Sequence, residues 1–187
     1  MPKKAIVLLA EGFEEVEAVT PIDYLRRAGI EVVAAAVGKA RAVTGSHGVT
    51  ITADAALSDL AGKGWDAVIL PGGMPGAKNL AASKEAGDLL KEKAASGALI
   101  CAICASPAVV LSPLGLLAGR KFTCFPGMET MVKGAYWSDR PVVTDDSAGG
   151  TITSRGAGTA GVFAAAIIGK LLSQAEGKKI AQSVLLE

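Results

Sequence analysis

A single histidine, His47, is present in the whole 187-residue chain. A Cys–His pair of the protease or amidotransferase kind must therefore use that one imidazole or do without any. His47 lies between Gly45-Ser46 and Gly48, a context that reads as loop surface rather than as the seat of a catalytic base. Cysteine is almost as sparse. Cys101, Cys104 and Cys124 form an odd set without framework spacing, which argues against a disulfide scaffold and for a reducing compartment, so the cytoplasm is the expected location. With so few Cys and His, no catalytic metal site and no cofactor are expected. Nor is there an excess of charge: 19 Lys and Arg stand against 18 Asp and Glu, without a basic run, so nucleic acid is not an expected partner. The apolar stretch Ala5 to Ala10 stops at Glu11, too short for a signal peptide or a membrane span. No repeat, low-complexity tract or linker divides the chain.

What is present is a globular composition, with half the residues hydrophobic and 20% charged. A chain of this length closes one core that buries roughly 70% of its unfolded surface, so residues 1–187 are expected to form one domain. Strand and helix signals alternate. Ala5 to Ala10 reads as a buried strand, followed by a helix carried by Val16, Val19, Ile22 and Leu25 to a stop at Gly29, with Pro21 expected to kink or split it. Strands follow at 30–37, 66–70 and 98–103, with a small hairpin over 41–44 and 49–52. Helices are expected over 83–96, 105–111, 159–173 and 175–185, and short strands near Phe122, Val142 and Thr151. Such alternation gives an α/β fold, a doubly wound, mostly parallel sheet with helices on both faces.

The most informative residue is Cys104. The apolar run Ala98–Ile103 ends there and Ala105-Ser106-Pro107 begins a turn into a helical segment. The thiol is thereby placed at the carboxyl edge of a central strand, where open α/β sheets locate their sites. A helix amino end beneath it favours thiolate over thiol. The competing reading is a small buried core residue, the usual fate of free cysteine. Cys101 and Cys104 have C-x-x-C spacing, but in a regular strand they face opposite sides, which speaks against a redox pair. Cys124, beside Phe125-Pro126, reads as a buried or interface residue.

Glu14, Glu15 and Glu17 follow the first strand at the same sheet edge. Apolar neighbours Val16, Ala18 and Val19 surround Glu17, where burial would raise its pKa and leave it a proton to donate. The alternative is three solvated first-turn acids that complement the helix dipole. Gly72-Gly73, directly after a strand, lets backbone N–H groups approach an anion closely, or forms only a tight turn. It is no phosphate loop, since the Gly-Lys-Ser/Thr ending is missing.

Together the segments Ala-Glu-Gly-Phe-Glu-Glu-Val-Glu-Ala-Val (10–19), Leu-Pro-Gly-Gly-Met-Pro-Gly-Ala (70–77), Ala-Ile-Cys-Ala-Ser-Pro (102–107) and Thr-Ser-Arg-Gly-Ala-Gly-Thr-Ala (153–160) resemble the ThiJ/PfpI superfamily. The branch is that of the parkinsonism-associated protein deglycase and its bacterial relatives, and the similarity spans the chain in order. The resemblance implies a flavodoxin-like homodimer with a nucleophile-elbow cysteine at Cys104 and a protonated glutamate at Glu17. It implies an anion pocket built from Gly73 and Ala105 with Gly72, and with His47, Phe125 and Ser106 as further pocket positions. The implied activity is glutathione-independent glyoxalase or deglycase chemistry on methylglyoxal, glyoxal or early glycation adducts. Oxidant sensing or redox-regulated chaperoning through Cys104 is the alternative. Three departures matter: Phe125 replaces a histidine of some relatives, Ala105 stands where peptidase-like members have histidine, and His47 replaces a pocket-side arginine. Peptidase and histidine-assisted chemistry are therefore not expected.

A free thiol titrates at about 8.5, and a helix end contributes about 0.3–2 kcal/mol toward the thiolate. That brings the sulfur only to around neutral, so a further drop requires a protonated Glu17 donating to it.

Overall fold

Alternation along the strands decides which side chain meets which helix layer. In the computed structural model, which describes residues 2–147 and 149–186, Ile6 and Leu8 of β1 (Lys4–Leu9) face one side. They pack there with Leu70 of β6 (Ala67–Leu70) and with Ile100 of β7 (Leu99–Ile103). That side is covered by α2 (Gly76–Ala82) and α3 (Lys84–Ala95) through Leu80 and Leu90. The intervening Val7, Leu9, Ile69, Cys101 and Ile103 face the other way. They meet Leu25 of α1 (Glu15–Arg27), Phe163 of α4 (Ala160–Leu171) and Ile180 of α5 (Gln174–Ser183). Strands buried on both faces read as continuous apolar runs, as these do.

The remaining strands are β2 (Glu31–Ala36), β3 (Ala42–Thr44), β4 (Thr50–Thr52), β5 (Ala55–Ala56), β8 (Lys121–Phe122), β9 (Tyr136–Trp137), β10 (Val142–Asp145) and β11 (Thr151–Ser154). The main sheet has seven strands in the order β10-β11-β7-β6-β1-β2-β5, with only β10 antiparallel to its neighbour. The pairs β3–β4 and β8–β9 form small separate sheets. This is the doubly wound α/β architecture expected from the alternation.

Three local expectations are corrected. Pro21 does not split α1, which runs unbroken over Glu15–Arg27. The ring removes one intrahelical donor, but Ala18, Pro21 and Leu25 are buried on the sheet side and that packing holds the helix together. The segment after Cys104 is a π-helical turn, Pro107–Leu111, rather than an α-helix over 105–111. Last, a helix over Gly76–Ala82 precedes the expected one over 83–96, where the sequence reading placed no element. No helix of the described residues is long and apolar enough to cross a membrane.

Candidate active site

Four strand ends converge at one edge of the sheet. β1 runs into Ala10–Phe13, β6 into Pro71–Gly73, β7 into Cys104 and β11 into Arg155-Gly156. β1 and β6 are neighbours whose onward connections leave in opposite directions, one to β2 and the other to β7. That is the switch point at which open α/β sheets leave a crevice.

Cys104 occupies the left-handed region at φ 63°, a strained conformation for a residue with a Cβ. Two backbone bonds hold it there: its N–H donates to Ser154 O at 3.0 Å and its carbonyl accepts from Phe125 N at 2.8 Å. The reversal breaks strand alternation, so Cys104 and Cys101 both pack against the α1/α4/α5 layer instead of facing opposite sides. All three cysteines are free. Cys101 and Cys124 are buried, and only Cys104 is half-exposed.

The three glutamates of the first turn divide their work. Glu14 caps α1, accepting from the Glu17 N–H at 2.7 Å. Glu15 binds the β3–β4 hairpin through the His47 N–H at 2.7 Å, His47 Nδ1 at 2.9 Å and the Val49 N–H at 3.3 Å. Glu17 points inward, 1% exposed, and its Oε2 accepts from the Gly72 N–H at 2.8 Å. Glu17 and Cys104 interact directly, and the N–H groups of Gly73 and Ala105 favour negative charge on the sulfur. Gly72, grouped with those two amides in the sequence, gives its N–H to Glu17 instead.

Close approach explains the glycines. A Cβ on Gly72 would lie 2.6 Å from Cys104 Cβ and 2.7 Å from Glu17 Oε2. Gly73, at φ +85°, lies so near the chain that an added Cβ would meet Glu14 N at 2.4 Å. The loop after β6 is thus seated on the loop after β1, which brings carboxyl and thiol together.

Burial raises the Glu17 carboxyl to about 7, opposed by the Gly72 N–H and by Cys104, with the Glu14 charge adding to the rise. Burial also pushes the Cys104 thiol up, to about 12, with the Glu17 charge second; the Gly73 and Ala105 amides pull the other way. With Glu17 ionised, the sulfur is therefore held as a thiol, in line with the expectation that a thiolate requires a protonated Glu17. Only a five-residue π-helical turn follows the elbow, too short to supply the dipole of a full helix. When Glu17 holds its proton, the charge that opposes the thiolate disappears, so the two groups titrate as one unit.

The other expected positions fall as follows. Phe125 is half-exposed, and its ring lies beside Gly156. Ser106 is wholly buried, and its hydroxyl donates to Pro71 O at 2.5 Å, so it braces the loop after β6 instead of facing a ligand. His47 is turned toward Glu15, with its side chain 72% exposed. Glu14, Glu15 and His47 bring their ligand atoms within 4.8 Å of one another. Both Glu15 oxygens, however, already accept bonds from the hairpin. Sequence reasoning assigned no role to Ser154 or Gly156. Ser154 O holds the elbow, and a Cβ on Gly156 would lie 3.9 Å from Glu17 Oε1. The segment Thr-Ser-Arg-Gly at 153–156 was the available signal.

Comparison with known proteins gives one consistent result. The model of the DJ-1/PfpI family matches residues 3–170. The Drosophila melanogaster protein dj-1beta is 39% identical over 188 residues, covering 100% of this chain and 98% of its own length. The Caenorhabditis elegans glutathione-independent glyoxalase DJR-1.2 is 38% identical, with 98% and 94% covered. The crystal structure of a cysteine-to-alanine mutant of the DJ-1 superfamily protein STM1931 from Salmonella typhimurium superposes with a TM-score of 0.94. Identity there is 38%, with 99% of each chain covered.

Proposed function

Because this chain belongs to the DJ-1/PfpI family, we propose that it is a glutathione-independent glyoxalase or deglycase that works through Cys104 and Glu17. The observation that carries the reading is a buried carboxyl with a pKa of about 7 facing a strained, half-exposed cysteine. A group titrating near the working pH serves equally as base and acid.

In the proposed reaction Glu17 accepts the thiol proton as sulfur attacks the aldehyde carbon of a 2-oxoaldehyde. A C–S bond forms and the aldehyde oxygen takes a proton, giving a hemithioacetal. The Gly73 and Ala105 amides stabilise the oxyanion in passing. Glu17 then removes the proton on the sulfur-bearing carbon and returns one to the neighbouring carbon, through an enediol, leaving a 2-hydroxy thioester. Water cleaves the C–S bond, releasing a 2-hydroxy acid and the free thiol. Oxidation of one carbon balances reduction of the next, so the sequence needs no external redox partner. An early aminocarbinol adduct would reach the same hemithioacetal when sulfur forms its bond to the adduct carbon, the C–N bond breaks and the amine leaves carrying the thiol proton passed on by Glu17.

The test is methylglyoxal consumption without glutathione, with lactate followed by NMR in D2O. Lactate labelled with deuterium at C2, and no turnover by Cys104→Ser, is the expected outcome. Unimpaired turnover by Cys104→Ser would overturn the mechanism. A second reading, oxidant sensing, draws support from Cys104 being the one half-exposed cysteine. Selective peroxide-driven mass gain on Cys104 with negligible turnover would favour it. The proposed molecule is a homodimer, supported by Val16, Val19 and Val49, which are exposed on α1 and the adjacent hairpin.

A further inference from the structure

Of the chain's two tryptophans and two tyrosines, one of each stands in solvent at adjacent positions. Tyr136 is 68% and Trp137 47% exposed on β9, whereas Trp65 is buried. Tyrosine and tryptophan, apolar in body and polar at the tip, are enriched at binding surfaces, and two of them side by side make a contiguous exposed patch. These two line a cleft of about 400 Å³ between β9 and the edge strand β10, together with Lys121, Ser138, Arg140 and Thr144.

The charges of the cleft are uncompensated. Lys121 and Arg140 make no side-chain ion pair or hydrogen bond among the described residues, while the nearby acids are occupied. Asp139 pairs with Arg155 at 2.5 Å. Asp145 accepts from the Lys121 N–H at 2.9 Å and pairs with Arg120 at 3.6 Å. Two free cations and two exposed rings in one cleft complement a ligand that is planar and aromatic at one end and anionic at the other. The cleft volume is that of a small-molecule site, not of a polymer groove.

We propose that this cleft binds a mononucleotide, its base stacked on Tyr136 or Trp137 and its phosphate held by Lys121 and Arg140. The site is separate from the Cys104 crevice. The balanced net charge of the whole chain conceals it, because the pair of cations is local.

Titration with guanosine 5′-monophosphate, followed by the emission of Trp137 and by calorimetry, tests the assignment. Saturable quenching is expected, with guanosine alone and inorganic phosphate alone each binding at least about tenfold more weakly, since each lacks half of the recognition. Lys121→Ala and Arg140→Ala should each weaken binding by roughly tenfold, and more so at low salt. Trp137→Phe should remove the optical signal while calorimetric binding persists. Cys104→Ser should bind normally, which distinguishes this cleft from the reactive one. The proposal is overturned by an absence of saturation at millimolar ligand or by unchanged affinity in both cation variants. Inorganic phosphate binding as tightly as the nucleotide, or loss of binding in Cys104→Ser, overturns it equally. Lys121, Trp137 and Arg140 are exposed positions, and circular dichroism verifies the fold of every variant.

Discussion

Glu17 is asked to be buried and to ionise near neutrality, and the conflict has a measurable cost. Its folded pKa is raised to about 7 against an ordinary 4.5. Between those values the folded protein keeps a proton that the unfolded chain releases, so stability falls as pH rises through that window and levels off above it. The full loss is about 3 kcal/mol. Glu17→Gln cannot ionise, and urea unfolding should show it more stable than wild type at pH 8, with the difference gone below pH 4.5. Equal stability of the two proteins at pH 8 would mean that the carboxyl is solvated. The same substitution separates two views of the sulfur. An ionised Glu17 holds the thiol up, so removing its charge should lower the apparent pKa of Cys104 alkylation by iodoacetamide even as turnover is lost. A rise would instead mean that a protonated Glu17 had been stabilising a resting thiolate, as the sequence led one to expect.

At the scale of elements, the site is a meeting of two loops, and glycine sets how closely they meet. Gly72→Ala would introduce a Cβ 3.0 Å from Cys104 Sγ and closer still to Glu17 Oε2. The backbone there needs no glycine-only conformation, so the fold should survive at a cost of about 1–3 kcal/mol. Methylglyoxal turnover should fall by roughly a hundredfold, because a misplacement of the order of 1 Å has that effect. Retained turnover would show that Glu17 and Cys104 need not touch. The hairpin β3–β4 depends on α1 in another way. Burial alone would raise Glu15, but bonds from the His47 side chain and from the His47 and Val49 N–H groups outweigh it and hold the carboxyl at about 2. That contribution is present above 4.5 and is lost as pH falls toward 2. The His47 imidazole is raised, chiefly by its bond to Glu15 and then by that group's charge. Its contribution is complete below 6.5 and is lost as pH rises through the folded value. Amide exchange in residues 45–50 should therefore be slowest, relative to intrinsic rates, between about pH 4.5 and 6.5. A Glu15→Gln protein should lose that minimum. The strands and helices behind these loops were legible because apolar runs and 3.6-residue spacing report burial directly. The π-helical turn and α2 were not, since proline and glycine composition says where a chain turns but not how its turns are hydrogen-bonded.

For the whole molecule, the sequence specified the doubly wound sheet because the central strands β1, β6 and β7 are almost wholly apolar runs, and the order of strands places Cys104 at the switch point. It did not specify which of Glu14, Glu15 and Glu17 turns inward. That depends on the seating of the loop after β6 against the loop after β1, a contact between residues some 60 positions apart. The exposure of Val16 and Val19 was equally hidden within the amphipathic pattern, because an apolar residue on a helix reads as core wherever it falls. Val16 and Val19, 48% and 46% exposed, lie on the face of α1 away from the sheet, and Val49 at 55% lies on the hairpin that Glu15 fastens to that helix. Three β-branched side chains left in water near one helix end would be stabilised by the second copy proposed to cover them. Sedimentation velocity should accordingly give a dimer for the wild-type chain and a monomer for Val16→Lys/Val19→Lys, since a two-fold contact would juxtapose the new charges. Methylglyoxal turnover per chain in that variant then reports whether the crevice is complete within one copy: Glu17, Gly72, Gly73 and Cys104 all come from a single chain, so substantial turnover should persist. A wild-type monomer at micromolar concentration would show that the valines are merely solvated.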